Sequence, residues 1–287
     1  MGTTWSLTLP NGIEMESVRS VIQNLLDERE MEFSNWKADS AVSRFNASAS
    51  LEWQAMPEAV VRAVRVAKRV AGDADGALDV TVGPLVELWG FGASGRREGP
   101  PSDEELAAAW ERCGWRWLEM RKAPPALRKL RPDLEINLSS VTEGVVMDEV
   151  VARLEAMSLT DFLFELGGEV VARGEAAPGQ PWRVGVQAPG GGPGETMEAL
   201  ELRGACLSTA GTYRQRREGA GGEMISHILD PRTGRPVSHG LVSVSVHHPD
   251  CALADAYATA LLVLGPVEGR KVAERLGLRV FWIEQTR

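Results

Sequence analysis

"TEGVVMDEVVARLEAMSLTDFLFELGGEVVARG", residues Thr142 to Gly174, changes its period halfway. In the first part Val146, Val150, Val151 and Leu154 recur at the spacing of one helical face. After "SLTD" the pattern changes to two apolar runs, "FLFEL" and "EVVAR", joined by Gly167-Gly168. Two adjacent glycines supply the backbone freedom of a tight turn, so these runs read as a strand pair. A helix that feeds a hairpin is the mark of an α+β chain and argues against regular βαβ alternation.

The flanking sequence agrees. Upstream, "MGTTWSLTLPNG" alternates and then turns, and Glu14 to Met31 carries Val18, Val21, Ile22, Leu25 and Leu26 at helical spacing. "FSNWKADSAVSRFN" is polar and turn-rich, and "MPEAVVRAVRVAKRVAG" reads as a helix with Pro57 in its first turn. "GALDVTVGPLVELWGFG" reads as a β-rich segment broken at Gly83-Pro84. It is followed by the linker "GASGRREGPP" and a helix opened by a capping box, Ser102 to Glu105. "PDLEINL" reads as a short strand. Downstream, "VQAPGGGPGE" lacks the GK[ST] ending of a phosphate-binding loop and reads as a hairpin loop. "CLSTAGTYRQ", "MISHILD" and "LVSVSVHH" read as strands, and "CALADAYATALLVLG" with "GPVEGRKVAERLG" as a final helix pair.

Composition bounds the function. A net charge of -9 over 287 residues, with no long basic run, argues against nucleic acid as a partner. No stretch shows the roughly 20 apolar residues of a bilayer span, so no membrane span is expected. The three cysteines, Cys113, Cys206 and Cys251, are widely spaced and signal neither a zinc site nor a disulfide framework.

Three stretches offer chemistry. Asp255 and Thr259 lie four apart, on one face of the final helix, where a carboxylate and a hydroxyl suit a hard cation such as Mg²⁺. A capping aspartate and a core threonine would have the same spacing. "INLSSVTEGVVMD" opens a helix with small polar residues, an arrangement equally suited to an anion or to simple capping by Ser139, Ser140 and Thr142. In "MISHILD" alternation places His227 on one face with Ile225 and Leu229, which favours a structural histidine. The following Asp230-Pro231-Arg232-Thr233-Gly234 is a well-formed turn, with Arg232 an ordinary member of it.

Taken in order, "MGTTW", "SNWKADSAVSRFN", "GALDVTVGPLVELWGFG", "INLSSVTEGVVMD", "FELGGEVVARG", "LSTAGTYR", "SHILDPRTGRPV" and "ADAYATALLVLG" resemble the ApbE family, the FAD:protein FMN transferases. The resemblance covers nearly the whole chain. It implies an ApbE-like, T-fold-related α+β architecture with mixed or antiparallel sheets and packed helices. One domain over 1–287 is expected, with subregions 1–130 and 131–287 and the FAD site in the cleft between them. The implied activity is Mg²⁺-dependent transfer of FMN from FAD to a threonine or serine hydroxyl of an acceptor protein, with release of AMP. The implied acceptors are redox membrane subunits or related flavoproteins with an Asp/Ser-Gly-Ala-Thr/Ser type of site.

Carried over by position, Met1, Trp36, Ala77, Leu78, Asp79, Asn137, Glu143 and Leu229 would line the FAD site. Ser140, Asp255 and Thr259 would hold the metal, and His227 would be the general base. Asn137 stands where the family pattern expects an aspartate, and Glu143 where many members have lysine. Two neighbouring readings are an FAD pyrophosphatase, with water as acceptor, and a flavin-binding protein without catalysis. A periplasmic or inner-membrane-associated location is expected if an export signal has been removed, and a cytoplasmic one if Met1 is the native start.

Overall fold

In the computed structural model the described residues are 3–10, 15–97, 99–187, 196–214, 216–218 and 224–285. Their backbone forms a six-stranded sheet with helices on one face and a separate hairpin on the other. The strand order is Trp5–Thr8, Phe162–Leu166, Glu169–Arg173, Cys206–Gly211, Leu241–His248 and Arg279–Glu284, and every pairing is antiparallel. Gly167 and Gly168 both take positive φ, +64° and +93°, in the two-residue turn between the second and third strands. The period-two reading of Phe162 to Arg173 therefore describes a hairpin.

Seven helices accompany the sheet among the described residues: α1 (Met15–Phe33), α2 (Ala41–Ala47), α3 (Glu58–Asp73), α4 (Gly83–Leu88), α5 (Asp103–Glu111), α6 (Thr142–Ala156) and α7 (Cys251–Leu276). The helix-side core joins Phe162 and Phe164 of the sheet to Val18 and Ile22 of α1, Val60 and Val64 of α3, and Val146 and Val150 of α6. On the other face Leu163, Ala172 and Leu207 pack against Trp182, Val184, Leu200 and Leu202 of the hairpin Trp182–Gln187/Thr196–Leu202. That hairpin flanks the glycine-rich loop, which itself lies outside the described residues.

α7 is the spine. Its most apolar stretch is long and hydrophobic enough to cross a bilayer by composition, yet 72% of that stretch is buried inside the protein. It packs on α3, α6 and the strands Cys206–Gly211 and Leu241–His248. The expected final helix pair is present within this span: two helical stretches meet at Gly265, which leaves helical geometry (φ 77°, ψ −176°) just before Pro266. Its free N-terminal amides are satisfied twice: Asp250 accepts from Leu253, and Asp148 of α6 accepts from Cys251 and Ala252 at 2.8 and 3.2 Å.

Two local expectations are corrected. Gly83–Leu88 is a helix, because Pro84 supplies a φ ready for the first turn and Asp79 folds back to accept from the Thr81 amide and hydroxyl, ending any extended run. "PDLEINL" is extended but joins no sheet. Instead the Asn46 side chain mimics a strand edge: its Oδ1 accepts from Ile136 N–H at 2.8 Å and its Nδ2 donates to Ile136 C=O at 2.9 Å. Asn35 Nδ2 donates to the same carbonyl at 2.9 Å. Ile136 is fully buried, so losing this partner strands a backbone N–H away from water. Asn46→Ala is expected to cost about 1–3 kcal/mol in denaturant unfolding, whereas an unchanged midpoint would show that the amide finds another acceptor.

Candidate active site

A cavity of about 750 Å³ opens along the helix side of the sheet, between the Trp36 and Ala77–Asp79 segments and the ends of α6 and α7. Trp36, Ala77, Leu78, Asp79, Asn137, Ser140, Glu143, His227, Leu229, Asp255 and Thr259 all line it. Met1 lies outside the described residues. Residues scattered over most of the chain thus converge on one space.

The centre of the site is the junction of α6 and α7. Locally, Ser139, Ser140 and Thr142 are capping candidates for α6, but none of them caps it; the Thr142 hydroxyl donates back to Leu138 C=O. The cap comes from the other helix: Asp255 Oδ2 accepts the Gly144 amide at 3.1 Å. Nor does Asp255 cap its own helix, since Asp250 and Asp148 do that. The close approach depends on Gly144, where an added Cβ would lie 2.4 Å from the Cys251 carbonyl oxygen and 2.7 Å from the Ala252 Cα.

Around this contact the cavity is acidic. Asp255 and Glu169 are buried beside the half-buried Glu143, and burial with mutual repulsion pushes the Asp255 carboxyl up to about 8 and that of Glu169 well above its ordinary range. The Ser208 hydroxyl donates to Glu169 at 2.9 Å. Arg214 lies at the edge of the cluster and donates to Gly167 C=O at 2.5 Å, bracing the glycine turn that carries Glu169. Sequence reasoning missed Glu169, Arg214 and Phe91. An acidic residue directly after a Gly-Gly turn, at the start of a core strand, was the available signal for the first.

Side-chain oxygens of Asp255, Ser140 and Thr259 line this part of the cavity. Among the described residues no three His, Cys, Asp or Glu side chains converge to enclose a metal by themselves. Asp255 with the hydroxyls of Ser140 and Thr259 is a hard donor set that fits part of a Mg²⁺ shell and leaves room for water or phosphate oxygens. A cation there would offset the repulsion among the crowded carboxyl groups.

The remaining residues shape the cavity. Asp79 is spent on structure: besides Thr81 it accepts from the Trp115 amide at 2.9 Å, fixing Ala77 and Leu78 in the wall. Asn137 Oδ1 accepts from Ser139 N–H at 3.1 Å, shaping the turn that presents Ser140. Trp36 is 72% exposed at the mouth, a free aromatic face for a planar ligand.

His227 stands at a bend between the short strands Met224–Ser226 and Leu229–Asp230, which belong to different sheets. Ile225 and Leu229 on either side are buried against Leu85, Trp89 and Leu106, while His227 lines the cavity and meets Phe91 edge-on at 6.3 Å. The turn after it is clamped by two indoles: Trp110 donates to Pro231 C=O at 2.7 Å and Trp89 to Gly234 C=O at 2.8 Å. Arg232 pairs with Asp230 at 2.8 and 2.7 Å and is a turn residue.

An antiparallel α+β fold with an acidic, oxygen-lined cavity, an exposed aromatic face at its mouth and one histidine in its wall defines an enzyme-like site. The model of the ApbE family matches residues 1–282. The chain is 38% identical over 288 residues to the FAD:protein FMN transferase of Escherichia coli K12, covering 99% of this chain and 82% of that protein. It is 36% identical to the Vibrio cholerae enzyme of the same name, covering 100% and 86%. The solved flavin transferase ApbE from Vibrio cholerae superposes with a TM-score of 0.88 at 36% identity, covering all of this chain and 91% of that one. The Pseudomonas stutzeri flavinyl transferase ApbE, apo form, gives 0.87 at 32%, covering 99% and 92%. The chain belongs to the ApbE family.

Gly144→Ala is expected to force α6 from α7 and lower stability by about 1–3 kcal/mol. Thermal unfolding measures this, and an unshifted transition would show that the helices separate at little cost.

Proposed function

We propose that the protein transfers the FMN part of FAD to a threonine or serine hydroxyl of an acceptor protein, in a site such as Asp/Ser-Gly-Ala-Thr, and releases AMP. The observation that carries this reading is the convergence of His227, Asp255, Thr259, Ser140 and Trp36 on one cavity, together with relatives named for that reaction. Trp36 at the mouth would stack on a planar ring of FAD, and the wall of Ala77 and Leu78 would exclude water from one side. Asp255, Ser140 and Thr259 would hold Mg²⁺ near the diphosphate. Bound there, the ion supplies charge neutralisation for phosphoryl transfer.

His227 takes the proton of the attacking hydroxyl. The hydroxyl oxygen then forms a bond to the phosphorus of the FMN half as the bond to the AMP oxygen breaks. Imidazole suits this role near neutral pH, and the clamped turn holds it against the cavity without a search over rotamers. In this reading a cation beside Asp255 would stabilise the charged forms of the crowded Glu143, Glu169 and Asp255 carboxyls, which burial and mutual repulsion disfavour.

Incubation with FAD, Mg²⁺ and an acceptor domain carrying the threonine tests the reading. Flavin that stays on the acceptor after denaturation supports transfer. Free FMN and AMP would indicate hydrolysis, and intact FAD would indicate binding alone. His227→Ala is expected to retain FAD binding and lose transfer by at least about a hundredfold; transfer at the parent rate would remove His227 from the chemistry. Asp255→Ala is expected to raise the Mg²⁺ concentration needed for half-maximal transfer, and an unaltered requirement would place the ion elsewhere.

A further inference from the structure

Arg217 sits midway along the strand Arg216–Glu218, opposite Ile225 in the strand Met224–Ser226. Ile225 is buried against Leu85 and Trp89, so cross-strand pairing puts the Arg217 stem on the same inward face. Its guanidinium lies 5.5 Å from the centre of the Phe91 ring, and that ring also meets His227. One aromatic side chain therefore separates Arg217 from the proposed base.

The hydrogen bonding of this corner is incomplete. Arg217 Nη1 donates to Arg97 C=O at 2.8 Å, but its Nε and Nη2 are shielded from water and have no partner. The Nε of Arg97 is in the same state, while its two terminal nitrogens pair with Glu105 at 3.1 and 2.6 Å. Glu105 is engaged again as acceptor for Ser102 N–H. Glu105 is taken up by Arg97, and among the described residues no carboxylate pairs with Arg217. Shielding a charged donor without a partner is unfavourable, so this corner is suited to receive an anion.

We propose that Arg217 receives an acidic side chain of the acceptor protein, one that lies close in sequence to the hydroxyl being modified. The inference rests on the transfer reading above. The acceptor is favoured over FAD as the source of the anion by position. Arg217 adjoins the His227 side of the site, where the attacking hydroxyl must stand to lose its proton, whereas the diphosphate belongs beside Asp255 and Ser140. A long side chain on a two-stranded hairpin brings its head to the cavity mouth by rotamer change. Glu87 keeps that mouth in place by accepting the amides of Ala93 and Ser94 at 2.7 and 2.9 Å. On a chain of net charge -9, a cationic corner also gives an acidic segment its favourable approach.

The test uses the full chain with FAD, Mg²⁺ and two acceptor domains identical except for Asp-Gly-Ala-Thr in one and Asn-Gly-Ala-Thr in the other. Arg217→Met keeps the aliphatic stem over Phe91, and Arg217→Lys keeps the charge without the fork. The wild type is expected to show a KM about tenfold lower for the Asp domain. Arg217→Met should abolish that preference while leaving the Asn-domain KM and the FAD Kd within about twofold of wild type, and Arg217→Lys should restore part of it. No preference in the wild type, or a preference that survives in Arg217→Met, overturns the proposal alone. An equal loss on both domains makes Arg217 structural, and weakened FAD binding assigns the anion to the diphosphate; either result also overturns it. If the wild type transfers flavin to neither domain, the transfer reading fails and the proposal falls with it.

Discussion

The site depends on one hydrogen bond between two helices, from the Gly144 amide to the Asp255 carboxylate. It completes the N-terminus of α6, which has no side-chain cap of its own, and it fixes where α7 presents Asp255 and Thr259. A glycine is required because the helices approach too closely for a Cβ. Stability and chemistry are therefore drawn from the same atoms, and the carboxylate that would hold a cation is also a structural acceptor.

That economy has an electrostatic cost. Three carboxyl groups crowded in one pocket repel one another, and burial alone already disfavours their charged forms. The fold accommodates them by the Gly144 amide on Asp255, by the hydroxyl of Ser208 on Glu169 and by Arg214 at the rim. In an apolar core of this size such a cluster is expensive, which is the physical reason to see it as a place prepared for positive charge.

Local chemistry was legible in the sequence wherever a few neighbouring residues decide the outcome. Ser102 and Glu105 form the expected capping box, Gly167-Gly168 the expected turn, and the period of Val146, Val150 and Leu154 the expected core face. Reading failed where a distant partner decides. Ile136 looked like a strand residue because its partner, the side chain of Asn46, leaves no pattern in the sequence. The run around Val80 and Val82 is rich in β-branched residues, yet Pro84 and Asp79 turn it into a helix start. Glu169 is marked in the sequence only as an acidic residue after a Gly-Gly turn, and its partnership with Asp255 is not, because the approach of α7 brings the two carboxyls together. The resemblance brought His227, Asp255 and Trp36 into one set, and the structure brings them to one cavity.

The strand Trp5–Thr8 pairs with Phe162–Leu166, and α1 and α3 share their core with α6 and α7. During synthesis the first half of the chain leaves the ribosome with Val18, Ile22, Val60 and Val64 uncovered, because the side chains that bury them have not yet been made. Contacts so distant in sequence close late and at an entropic cost. The nascent protein therefore passes through a long interval as an adhesive intermediate. α7 emerges late, just ahead of the edge strand Arg279–Glu284, and completes both the core and the cavity.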